Sequence, residues 1–170
     1  MSSMRNAIAT AKAIHAELLT EFGPPEEGLI AKSQPVILMS LVRGTRGYIE
    51  KISNQANGAY ENGWYDACAV MLRRLVETLI IETFEHHKIE HKIKNANGDF
   101  FYLKDLIDKT LAETSWNLSR NTKQALPKLK EIGDKSAHSR RFIAQRGDIQ
   151  PLLRDLRTVV QELIYLAQLK

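Results

Sequence analysis

The stretch that decides the fold is Trp64–Lys88, WYDACAVMLRRLVETLIIETFEHHK. Cys68, Met71, Leu72, Leu75 and Leu79 recur within it at the three- and four-residue intervals of one helical face, which makes it the longest and central helix of the chain. On its other side Val70, Ile80, Ile81 and Phe84 surround Arg73 and Glu77, where a surface helix would be mostly polar. A helix apolar on two faces needs two partners. Either it is sandwiched within the domain, or its second face forms a homodimer interface.

Helical spacing continues on both sides of this stretch. Upstream, Tyr48, Ile49, Ile52, Ala56 and Tyr60 mark a helix that stops at Asn57-Gly58 or at Glu61-Asn62-Gly63. Residues 26–47 break the pattern with Gly28, Pro35, Gly44 and Gly47, and the apolar run Val36-Ile37-Leu38-Met39 reads as a short strand or a buried helical turn in a connector. At the N-terminus Ala7, Ile8, Ala11, Ile14, Leu18 and Phe22 predict a helix that Gly23-Pro24-Pro25 ends. Downstream, the turn signal Asn95-Ala96-Asn97-Gly98 precedes a helix marked by Phe100, Leu103, Leu106, Ile107 and Leu111. Ser119 can cap the next, in which Ala125, Leu126, Leu129 and Ile132 share a face and Pro127 is expected to kink or restart the helix. The last helix is the most regular: Ile149, Leu152, Leu153, Leu156, Val160, Leu163 and Ala167 oppose Arg154, Thr158, Gln161 and Gln168, with Asp148 as its expected N-cap and Pro151 in its first turn. These segments predict an all-α bundle of five or six helices, without internal repeats.

Composition bounds the function. With 170 residues, 44% of them hydrophobic, the chain can bury one real core but not two. Its net charge of +4 permits a polyanionic partner. The single cysteine, Cys68, excludes an internal disulfide or a multi-thiolate metal site and fits a reducing compartment; on the apolar face of the central helix it reads as a small core residue. Met1–Thr10 lacks the apolar run of a signal peptide, and no window approaches the roughly 20 apolar residues of a membrane span. A cytoplasmic protein without a membrane anchor is expected. Gly44-Thr45-Arg46-Gly47 lacks the length and the Lys-Ser/Thr ending of a phosphate-binding loop, and no dinucleotide fingerprint or nucleophile elbow is present. Nothing therefore calls for a cofactor.

Chemistry concentrates in Ile132-Gly133-Asp134-Lys135-Ser136-Ala137-His138-Ser139-Arg140-Arg141, read as a small-residue turn near a helix end. Histidine exchanges a proton near neutral pH, and flanking cations suit a phosphate. His138 and Asp134 are the candidate catalytic residues. Lys135, Arg140 and Arg141, with Arg73 and Arg74 from the central helix, are the candidate phosphate ligands, and Ser136 and Glu77 the candidate orienting groups. Glu77 also stands three and four residues from Arg74 and Arg73, the spacing of a structural ion pair, and an arginine of the central helix can face His138 only if the two helices pack together. His86, His87 and His91 suggest a metal cluster by composition, but at a helix C-terminus they fit a solvated, dipole-compensating end, and no metal is expected.

From about Tyr48 to Leu169 the chain resembles the HEPN superfamily of helical domains associated with nucleotide binding and RNA cleavage. The resemblance is carried by the Asp66–Glu77 stretch, by Gly133-Asp134-Lys135-Ser136-Ala137-His138, and by the amphipathic last helix. It is greatest to HEPN-like domains whose late helix ends in Gly-Asn/Asp-x-x-Ala-His. This divides the chain into an N-terminal helix and connector, residues 1–47, and a HEPN-like domain, residues 48–170, within one compact unit. In active HEPN ribonucleases an arginine, usually followed by a polar residue, precedes a histidine with four to six residues between them, and two such motifs meet across a dimer. Here His138 and Asp134 match the histidine and the polar position, but Gly133, Ile132 and Glu131 stand where the arginine would. The cation that would stabilise the phosphate in the transition state is missing from the motif, and Lys135, Arg140 or Arg141 are the nearest substitutes.

Three functions are compatible with this pattern. The favoured one is a homodimeric HEPN-like domain that binds RNA or a nucleotide, or serves a protein partner as an accessory module, without efficient cleavage. The second is a metal-independent ribonuclease of toxin or antiphage type in which His138 moves the proton. The third is a structural or regulatory protein that docks another chain.

Overall fold

The computed structural model describes residues 2–22 and 34–170, so the predicted connector at residues 26–33 lies outside the described residues. In chain order the helices are α1 (Ser2–Phe22), α2 (Met39–Val42), α3 (Gly47–Glu61), α4 (Tyr65–His86), α5 (Leu103–Ala112), α6 (Arg120–His138), α7 (Arg146–Ile149) and α8 (Leu153–Leu166). Six of them have ten residues or more, at the positions that the apolar spacing predicts. The only β pairing among the described residues is an isolated bridge between Lys94 and Phe100. The protein is all-α.

The central helix is packed on several sides within the chain. Leu72, Leu75, Val76, Leu79, Ile80 and Phe84 are fully buried because α4 packs against α3, α5, α6 and α8. Of its second apolar face, Ile80 and Phe84 are covered within the chain while Val70 and Ile81 stay half-buried, and Phe84 sits edge-on to Trp116 at 5.0 Å. Each such buried side chain contributes about 1.5–3 kcal/mol. Gly63, at φ +73°, turns the chain from α3 into α4 in a left-handed conformation that suits glycine.

The connector run forms neither a strand nor a helical turn at Val36-Ile37, which bend, and α2 begins only at Met39. Val36 and Ile37 are nevertheless fully buried. The Asn57 side chain pairs with both backbone groups of Ile37, accepting from its N–H and donating to its carbonyl, each at 2.9 Å, and Arg157 Nη2 donates to Pro35 O at 2.7 Å. Side chains of α3 and α8 therefore provide the hydrogen bonds that secondary structure would otherwise supply. In contrast, every side chain described between Asn6 and Glu17 of α1 is exposed, Ile8 and Ile14 at 51% each.

Three sequence expectations are corrected. Pro127 does not restart α6, which runs unbroken from Arg120 to His138; the residue lies on the exposed face, where solvent can satisfy the carbonyl that lacks its donor. Ser119 caps that helix as predicted, accepting from Thr122 N at 3.2 Å. Asp148 is not the N-cap of the last helix: Gln145 caps the short α7, and Asp148 is its reciprocal partner in a capping box. The segment Gly133–His138 is not a turn but the last two turns of α6, ending at Ser139.

Candidate functional site

Gly133 sets the place where α4 and α6 meet. A Cβ there would stand 2.5 Å from Arg73 Cβ, 3.0 Å from Cδ and 3.1 Å from Cγ, so the arginine stem crosses directly over the glycine. The residue that resembles a helix breaker in sequence is a close-approach glycine inside a helix. The crossing delivers the guanidinium to the next residue: Arg73 Nε donates to Asp134 Oδ1 at 2.8 Å, and Nη1 reaches Glu77 Oε2 at 3.4 Å. Lys130, one turn before Asp134 on α6, donates its ammonium to Oδ2. The α4 and α6 contact that an arginine beside the motif requires is therefore present, and it is Arg73 that enters.

Asp134 accepts from a cation on each carboxylate oxygen. Burial works to raise its pKa, but the hydrogen bonds and charges of Lys130 and Arg73 outweigh it and hold the carboxyl below its ordinary value. An aspartate so held is a weak base near neutral pH. Its evident work is to fix Arg73, which Glu77 steadies from the other side.

The other predicted residues divide around this cluster. His138 closes α6 four residues after Asp134 and so shares its face; it is exposed and has no hydrogen bond or ion pair among the described residues. Ser136 lies about 200° around the helix from His138, with its Oγ buried and unpartnered, so it does not orient the imidazole. Lys135 pairs with Glu131 at 2.7 Å on the surface. Arg140 and Arg141 follow the helix end, exposed and without an ion pair. Arg74 lies away from this cluster and lines a groove between α3 and α4 beside Trp64 and Met71.

Charge is concentrated on α6 and the two arginines just beyond its end. Residues 120–141 hold seven Lys or Arg against two carboxylates, a net +5 compared with +4 for the whole chain. Of those cations, Arg120, Lys123, Lys128, Lys135, Arg140 and Arg141 are exposed. Such a strip attracts a polyanion.

His87 is a structural residue: its Nε2 donates to Leu166 O at 3.2 Å, and its ring packs 5.0 Å from Trp116. Among the described residues no group of three His, Cys, Asp or Glu could hold a metal ion. Cys68 is buried, which pushes its thiol up to about 12. No described helix is long and apolar enough to cross a membrane.

Sequence reasoning missed Lys130, although its spacing of four from Asp134 is legible. It also missed the groove at Trp64, which depends on how α3 and α4 diverge and leaves no periodic trace.

Fold and site together define a helical bundle whose central and motif-bearing helices meet at a glycine and are joined there by an Arg–Asp–Lys cluster, with a basic strip on the outer side. The chain belongs to the family described as Domain of unknown function (DUF4145), whose model matches residues 54–170. The match begins within α3 and takes in α4 to α8. Nothing matches among curated proteins or among solved structures.

Proposed function

We propose that this protein is a HEPN-like homodimeric module that holds RNA through the basic strip of α6 and does not cleave it efficiently. The observation that carries this reading is the closed state of Asp134. Both its oxygens are taken by Arg73 and Lys130, so the arginine that α4 brings to the motif is neutralised and the Asp134 carboxylate, one helical turn from His138, is no free base. His138 itself has no orienting partner among the described residues, while Arg140 and Arg141 beside it remain available to phosphates. Binding without turnover follows from that division. Homodimerisation rests on the HEPN resemblance, since Ile80 and Phe84 of the second face of α4 are used inside the chain.

The test is the salt dependence of binding to an unstructured single-stranded RNA. Arg140→Ala/Arg141→Ala should weaken binding and lower the slope of log K against log salt by roughly 0.7 for each phosphate that is no longer neutralised. An unchanged slope would remove the strip from the interface. A sedimentation mass of one chain at micromolar concentration would remove the dimer.

The entry of Arg73 beside Asp134 favours a second reading, a metal-independent ribonuclease whose arginine has moved from α6 to α4. In that case Arg73→Ala and His138→Ala would both abolish a cleavage activity of the wild type.

A further inference from the structure

The groove between α3 and α4 has a composition that the ion-pair cluster does not use. It encloses about 510 Å³, within the range of roughly 300–1,000 Å³ typical of ligand sites. It is lined by the small residues Gly58, Ala59 and Ala67, by Trp64 and Met71, and by the polar Arg74 and Gln55. No carboxylate lines it. Trp64 is 60% exposed, unusual for the largest aromatic side chain, although its backbone is fixed by Trp64 N donating to Ala59 O at 2.8 Å. Arg74 is exposed and has no hydrogen bond or ion pair among the described residues, whereas the adjacent Arg73 is fully engaged. Asn62 spends its amide N–H on Gly58 O at 2.7 Å and keeps its side-chain oxygen free to accept.

We infer that this groove is a base-stacking site for single-stranded RNA: a nucleobase lies on the Trp64 indole and a phosphate farther along the strand on the Arg74 guanidinium. The inference rests on the RNA-binding reading above and extends it from the basic strip to a second contact. A π-face and an uncompensated cation along one groove, with no acidic group among its described lining residues, complement a ligand that is planar and anionic. Ten residues separate Trp64 from Arg74, roughly 15 Å of helix axis, and long side chains on a helix lean toward its N-terminus, here toward Trp64. That span suits a short stretch of strand rather than one nucleotide. Arg73 and Arg74 are consecutive on α4, so the groove and the basic α6 lie on two flanks of the same helix, and one strand can engage both.

The chain has two tryptophans, of which Trp116 is 8% exposed, so a change in tryptophan emission on ligand addition reports chiefly on Trp64. The experiment measures anisotropy of a labelled, unstructured RNA decamer with wild type, Trp64→Ala, Trp64→Phe and Arg74→Ala, each checked for helical circular dichroism, alongside emission quenching and binding of inorganic polyphosphate. Because the indole is exposed, its removal leaves the core packing in place, and the phenylalanine variant keeps a stacking surface. Expected are quenching by RNA, about tenfold weaker RNA binding in Trp64→Ala, near wild-type binding in Trp64→Phe, and polyphosphate binding that ignores Trp64 but falls in Arg74→Ala. RNA binding that is equal in wild type and Trp64→Ala overturns the inference while sparing the RNA reading; no RNA binding by the wild type overturns both. If Trp64→Ala leaves RNA binding intact but changes the mass in solution, the groove is a protein contact and the stacking site is wrong.

Discussion

Replacing Gly133 by alanine tests the reading of the α4 and α6 junction. In most helix interiors this change stabilises a protein by roughly 0.5–1 kcal/mol, because glycine loses more backbone freedom on folding. Here the new methyl would stand 2.5 Å from Arg73 Cβ, a distance that real Cβ atoms do not tolerate. Cβ cannot move without its backbone, so rotation of the arginine does not relieve the contact and the helices must part by several tenths of an ångström. Overpacking of this kind costs about 1–3 kcal/mol. Set against the propensity gain, the net loss ranges up to about 2.5 kcal/mol, a fall in Tm of up to roughly 10 °C for a chain of this size. The internal control is Gly58→Ala on α3, where an added Cβ meets nothing within 4 Å and the propensity gain should appear alone. Urea denaturation of the two variants beside the wild type reads both signs in one experiment. A Gly133→Ala protein as stable as Gly58→Ala would refute the close-approach explanation.

Further outcomes follow from the charged and buried groups. Glu113 accepts from Lys92 Nζ at 2.8 Å and from the Ser115 hydroxyl, and its pKa is lowered to about 2. A carboxyl depressed in the folded state stabilises above its unfolded value near 4.5 and loses that contribution as pH falls toward 2, so Glu113→Gln should flatten the acid limb of a stability profile over that window. Asp134→Asn should act in the same direction below the ordinary aspartate range, and it should also release Arg73, raising polyphosphate affinity relative to wild type in a competition assay. Cys68, buried and with its thiol near 12, should resist a thiol reagent in the native protein and react only in denaturant; rapid native labelling would place it at a surface.

The helices were legible because apolar residues set at three and four report burial on one face, and Leu72, Leu75, Leu126, Leu129, Leu156 and Val160 are all buried. Local chemistry was read less well. Gly133 in Ile-Gly-Asp suggests a turn, since glycine usually marks a break, and only the stem of Arg73, sixty residues away in sequence, explains why it stays inside a helix. Asp148 failed as a cap because Gln145 three residues earlier took that position. The candidate site was partly legible: Asp134 and His138 share a face by spacing alone, whereas the choice of Arg73 over Arg74 as the partner of Asp134 depends on the rotation of α4 against α6, which no local pattern encodes. The irregular backbone of the buried Val36 and Ile37 was equally hidden, because the hydrogen bonds around it come from Asn57 and Arg157.

The most direct test of an RNA-holding module without efficient turnover is incubation of purified wild type and His138→Ala with labelled single-stranded RNA and tRNA, without added metal, with cleavage and retention scored on the same samples. Retention of intact RNA by both proteins is the predicted result. Cleavage by the wild type that disappears in His138→Ala would contradict it and establish a ribonuclease that depends on His138.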